Sequence, residues 1–155
     1  MKAFPTTGLD ATSRSLAREL LHGNAELATW ARREVAPGGG QYFVLEVPPP
    51  SGEHAALVVD AGDRGRVAVR LGRFSIEFDA PPHGGRTSEL PEAVSLVEDL
   101  LAGEVRVWVG TRDGAFVGQG LVRKESDLRA ALARCPRGTE VEVTRWDEPP
   151  ALFVC

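Results

Sequence analysis

The sequence predicts an α+β fold, a bent and mostly antiparallel sheet with two to three helices packed on one face. Three observations carry this. Short stretches alternate strictly, as in Val67, Val69 and Leu71 against Arg66, Ala68 and Arg70, which is the period of a half-buried strand. Hairpin-sized connections at residues 61–65 and 111–114 join several of them. Regular strand–helix–strand alternation is missing, which argues against a doubly wound nucleotide-binding fold.

Residues 11–34 read as helix. Leu16, Leu20 and Leu27 lie on one stripe with Trp30 and Ala31 beside it, while Arg14, Arg18 and Glu19 lie off it. Gly23-Asn24 is a point where the stretch can divide into two helices, with Asn24 capping the second. Pro37-Gly38-Gly39-Gly40 ends it. That run is a flexible connector rather than a phosphate loop, because no Gly-Lys-Ser/Thr follows and no strand precedes. Residues 41–47 form a strand with Phe43, Leu45 and Val47 on one face, closed by the stiff Pro48-Pro49-Pro50-Ser51-Gly52 loop. Residues 54–60 and 66–71 make a hairpin around residues 61–65. After Gly72 the apolar phase slips by one, to Phe74, Ile76 and Phe78. A period of two cannot absorb that slip within a regular strand, so Gly72 is a bulge in a long bent strand or a very tight turn. The bulge is the favoured reading.

Residues 80–86 form a Pro/Gly loop. A helix then starts near Leu90, with Pro91 in its first turn, an apolar stripe of Leu90, Val94, Val97 and Leu101, and Gly103 as its stop. Residues 104–109 place Val105, Val107 and Val109 opposite Arg106 and Trp108. Asp113-Gly114 turns the chain into a strand over 115–123. Ser126 is expected to cap a short helix that buries Leu128, Ala131 and Leu132, and residues 139–146 form the last strand before a short apolar tail. No linker or internal repeat interrupts the chain, so residues 1–155 are read as one α+β domain.

At 155 residues, with 43% apolar and 26% charged side chains, the chain can bury a proper core and is not disordered in bulk. A net charge of −4 argues against nucleic acid as the partner, since phosphate neutralisation needs a basic face. No apolar run reaches the length of a membrane span, and the first residues lack the apolar centre of a signal peptide. A cytoplasmic protein without membrane attachment is the expectation. Cys135 and Cys155 form neither a Cys-x-x-Cys pair nor a zinc spacing. Reduced thiols are favoured for them, with a disulfide left open.

No catalytic constellation stands out. His22, His54 and His83 have no helical i, i+4 partner and no His-x-His, so no metal is expected. Neither cysteine has a base beside it, and there is no Gly-x-Ser-x-Gly elbow. Gly118-Gln119-Gly120 lacks the third glycine of a dinucleotide fingerprint and reads as close packing within a strand. No cofactor is expected. His83 follows Asp79 in a Pro/Gly loop, and Trp108 shares its strand face with Arg106. A helix over that face makes Trp108 core; an open face makes the Trp–Arg pair a composition enriched in binding hot spots.

One stretch resembles a family. Phe74-Ser75-Ile76-Glu77-Phe78, the loop with His83, and Glu92-Ala93-Val94 through Leu100-Leu101-Ala102-Gly103-Glu104-Val105 look like small immunity proteins of bacterial polymorphic toxin systems. Members of that family are cytoplasmic α+β domains that bind and block a cognate toxin. Pro81, Pro82 and Gly84 stand where aromatic residues often accompany the loop histidine. The resemblance implies a protein inhibitor that is not an enzyme, with a protein toxin as partner. Partner-binding residues are accordingly expected at Asp79, His83, Arg106, Trp108, Arg112 and Asp113. A small enzyme or ligand-binding domain using the concave sheet face, with His83 and Asp79 at its rim, is the alternative. Self-association as a homodimer is carried beside both.

Overall fold

The computed structural model describes residues 3–51, 54–83 and 87–155. Gly52 and the Gly84-Gly85-Arg86 part of the expected loop lie outside the described residues, as do Met1 and Lys2. The α+β class holds, with the strands divided between two antiparallel sheets instead of one bent sheet. The chain forms two compact units. The first comprises Met1–Val47, Leu57–Arg70 and Ser75–Val97, the second Pro48–Ala56, Leu71–Phe74 and Glu98–Cys155.

The first unit begins with helix α1, Ala11–Gly23. Asp10 caps it by accepting from the Ser13 N–H at 2.8 Å. Leu16 and Leu20 face fully inward. Ser13 and Thr12 tie the helix down, Ser13 Oγ accepting from Phe43 N at 3.0 Å and Thr12 Oγ1 donating to the Ala80 carbonyl at 2.7 Å. The helix expected over 11–34 stops here. After Asn24 the chain takes one stretch of 3-10 helix, Ala25–Trp30, and then a strand, β1, Ala31–Val35. Asn24 does not cap with its side chain; its amide donates back to the Leu20 carbonyl at 3.2 Å. Backbone pairing to the next strand overrides the helical propensity of this Ala- and Arg-rich run.

Strand β1 joins β2, Gln41–Val47, through the Pro37–Gly40 loop, where Gly39 takes a positive φ of 89°. β3, Leu57–Asp60, β4, Arg66–Leu71, and β5, Phe74–Asp79, complete a sheet of order β1-β2-β3-β4-β5. His54 lies ahead of β3 rather than in it. Gly72 is the tight turn, not the favoured bulge. β4 ends at Leu71 and β5 begins at Phe74, leaving Gly72 and Arg73 as the two central residues, with Gly72 at φ +59°. A positive φ at the first central position is what a tight hairpin turn of the II′ kind asks of glycine. The phase slip therefore records a reversal of direction. Phe43, Leu45, Val47, Leu57, Val59, Val67 and Val69 form the buried face of the sheet.

Helix α2 runs Leu90–Leu101, and Gly103 follows it at φ +71° as its stop. The second unit's sheet contains β6, Arg106–Arg112, β7, Ala115–Val122, β8, Glu140–Thr144, and β9, Ala151–Val154, in the order β7-β6-β8-β9. β9 was expected only as a tail. Asp113 and Gly114 both have positive φ, 51° and 79°, as the Asp-Gly turn requires. Helix α3, Glu125–Arg134, starts differently from expectation. Its N-cap is Lys124, not Ser126, and Asp127 in the first turn reaches back, its Oδ2 accepting from Arg123 N at 2.9 Å and Lys124 N at 3.1 Å. Leu128 of α3 packs on Val122, Val141 and Val143, with Trp108, Leu132, Cys135, Phe153 and Cys155 around them. No helix among the described residues is long and apolar enough to cross a membrane.

Candidate functional site

The face of the first sheet turned away from its buried side chains carries a cradle. The register decides which residues build it. Arg32 stands opposite Val44 and Val44 opposite Asp60, while Glu34 stands opposite Tyr42 and Glu46 opposite Val58. Alternation puts all of these on the side opposite Phe43, Leu45 and Val59. β4 adds Arg66, Ala68 and Arg70, and β5 adds Glu77. All of them but Glu46 line an open depression of about 550 Å³. Val44 and Ala68, only 3% and 6% exposed, lie among the charged side chains that line it.

The charges are paired across neighbouring strands. Arg32 bonds Glu34 through Nε at 2.9 Å and Glu46 through Nη1 at 2.5 Å. Arg70 pairs with Asp60, whose other oxygen accepts from Gly62 N at 2.9 Å. Arg66 reaches Glu77 at 3.0 Å and Asp79 at 3.5 Å. Tyr42 donates its hydroxyl to Glu34 Oε2 at 2.8 Å. Gly62 lets this packing close, since a Cβ there would lie 3.0 Å from the Tyr42 ring and 3.2 Å from Asp60 Oδ1. Three arginines face four carboxylates (Glu34, Asp60, Asp63 and Glu77) around the depression, so the cradle is a lattice of both signs rather than a basic or acidic patch.

The paired groups of the cradle shift one another's titration. The Tyr42 hydroxyl and then Arg32 hold the Glu34 carboxyl below its ordinary range. The bond it makes to Glu34 pushes Tyr42 above its own. Contacts with Glu46 and then Glu34 raise Arg32. A general acid or base works best near the operating pH, and these groups move away from it. Among the described residues no group of three or more His, Cys, Asp or Glu is placed to hold a metal ion.

The six residues expected to bind a partner fall in both units. Asp79 ends β5 and reaches Arg66, so it touches the cradle, while His83 is exposed in the loop beyond. Arg106 is half-buried and pairs with Glu125 of α3 at 2.6 Å. Trp108 meets the helix-covered alternative. Its indole lies across the strand glycines, with the Gly118 and Gly120 Cβ positions only 3.2 and 2.5 Å from ring atoms, and it joins the apolar cluster under α3. That accounts for Gly118-Gln119-Gly120 as close packing. Arg112 and Asp113 are exposed at the β6–β7 turn, near Phe116, which is 64% exposed.

Sequence reasoning missed most of the cradle. Arg32 and Glu34 fall in the stretch read as helix, Arg66 and Arg70 read as the ordinary polar phase of a strand, and Tyr42 and Asp60 carry no signal of their own. The signal was the run of opposite charges on the polar phase of successive strands, which only the register turns into pairs. Fold and cradle together define an α+β protein of two antiparallel sheets, one of which carries an open, charge-paired depression. No family model, curated protein or solved structure matches this chain.

Proposed function

We propose that the chain is a toxin-neutralising immunity protein that uses the cradle of its first sheet to bind and block a cognate toxin domain. The observation that carries this reading is the preformed charge lattice around Val44 and Ala68. Arg32, Arg66 and Arg70 are held by carboxylates before any partner arrives, so little side-chain entropy remains to be lost on binding. Arginine and tyrosine are enriched in protein interfaces, and a lattice of both signs fixes register and rejects wrong partners. A blocking protein needs a stable scaffold and a complementary face, and the sheet supplies both. Asp79 extends the same surface through Arg66. In this reading the protein works in the cytoplasm without nucleic acid or membrane attachment, and Arg112 and Asp113 offer a second exposed contact.

The depression also lies in the volume range of small-molecule sites, which favours a ligand-binding domain as the second reading. Such sites enclose most of their ligand and are lined mainly by apolar groups, whereas this one is open and lined by charges. The protein partner is therefore the better fit. Co-expression with the toxin-like product of the neighbouring reading frame tests it: surviving cells and a co-purifying complex support the proposal, and continued killing overturns it.

A further inference from the structure

We propose that Cys135 and Cys155 form a redox-reversible disulfide site that staples strand β9 to the end of helix α3. The residues are far apart in sequence, yet both pack on the cluster of Val122, Leu128, Val141 and Val143. Cys135 is the C-cap of α3, its N–H bonded to the Ala131 carbonyl at 3.1 Å. Cys155 follows β9 and is gripped on both backbone groups. Its N–H donates to the Thr139 carbonyl and its carbonyl accepts from Gly138 N, each at 2.9 Å. Thr139 in turn bonds the Pro136 carbonyl through N at 3.1 Å and through Oγ1 at 2.6 Å. The turn that leaves Cys135 is therefore the same turn that holds Cys155.

The two thiols are free, and the Cys155 side chain is near enough to bear on the titration of Cys135. Both side chains border the same apolar cluster, which brings them to one end of α3. Burial first, and the Cys155 side chain second, push the Cys135 thiol up to about 11, so it stays protonated near neutral pH. With a low-molecular-weight disulfide such as oxidised glutathione, the thiolate of one cysteine attacks one sulfur and the first glutathione leaves with the proton. The other cysteine gives up its proton, attacks the protein sulfur of the mixed disulfide and releases the second glutathione. Two protein thiols become one disulfide while one glutathione disulfide becomes two thiols, a transfer of two electrons.

The test is titration of the intact protein with oxidised glutathione, read by thiol count, intact mass and oligomeric state. The expected result is a monomer that loses both thiols and two hydrogens of mass, regains them with dithiothreitol, and melts about 5–10 °C higher when oxidised. Cys135→Ser and Cys155→Ser should each stop at a single glutathione adduct. Wild-type protein that halts at glutathione adducts, or that crosslinks between molecules, overturns the proposal without reference to either variant.

Discussion

Tyr42 donates its hydroxyl hydrogen to Glu34 Oε2 at 2.8 Å, directly across the β1–β2 pair. Each partner moves the titration of the other. Glu34 ionises below its ordinary value of 4.5, and Tyr42 above its ordinary value of 10.0. The stability linked to Glu34 is fully present above 4.5 and is lost as pH falls through its depressed value. That linked to Tyr42 is fully present below 10.0 and is lost as pH rises through its raised value. Both groups face solvent, so the effects shrink with added salt. NMR titration of the side chains should find the Glu34 value rising towards ordinary in Tyr42→Phe. It should also find Tyr42 falling towards ordinary in Glu34→Gln. An unmoved Glu34 in Tyr42→Phe would mean that Arg32 alone sets it.

Asp127 in the first turn of α3 ties down the helix start through two backbone N–H groups, Arg123 first and the N-cap Lys124 second, and these hold its carboxyl below the ordinary 3.8. Asp127→Ala should lower Tm by a few degrees, while Ser126→Ala should leave it nearly unchanged. The contribution is present above 3.8 and is lost as pH falls through the depressed value. Thermal melts of the two variants check the assignment, and a larger loss in Ser126→Ala would reverse it.

Gly120 has no room for a side chain, because a Cβ would lie 2.5 Å from Trp108 Nε1. Gly120→Ala should cost about 1–3 kcal/mol by overpacking. In a Trp108→Leu background most of that penalty should vanish, since the obstructing ring is gone. Denaturant unfolding of the four proteins of the cycle measures the coupling, and additive losses would show that Trp108 is not the obstacle.

Gly72 sits at φ +59° in the β4–β5 turn. Gly72→Ala should cost about 1 kcal/mol, and Gly72→Asn less, because asparagine tolerates the left-handed region better. Equal stability of Gly72→Ala and wild type in chemical denaturation would contradict the turn geometry.

Legibility varied with how local each signal was. β2 and β4 were found at their observed boundaries because Phe43, Leu45 and Val47, and then Val67, Val69 and Leu71, alternate without interruption. The 3.6 period of Leu90, Val94, Val97 and Leu101 did the same for α2. β1 was not legible, since Ala31, Arg32, Arg33 and Glu34 favour helix locally and become a strand only by pairing with Gln41–Val47. β9 was hidden by its four residues after Pro149-Pro150, and its pairing with Glu140–Thr144 is the tertiary fact that makes it a strand. Lys124 was passed over for Ser126 because capping preference does not say which residue starts the turn. The cradle had the same difficulty. Arg70 and Asp60 are ten residues apart, and nothing short of the strand register places one against the other.

The proposed inhibition requires the paired cradle to be the surface that meets the partner. The most direct measurement is survival of cells co-expressing the neighbouring toxin-like product with wild-type protein or with the Arg32→Glu/Arg70→Glu double variant. Circular dichroism would confirm that the variant is folded. Wild type should protect, and the folded variant, its lattice reversed at two corners, should not. Killing in the presence of wild type, or protection by the variant equal to that of wild type, would contradict it.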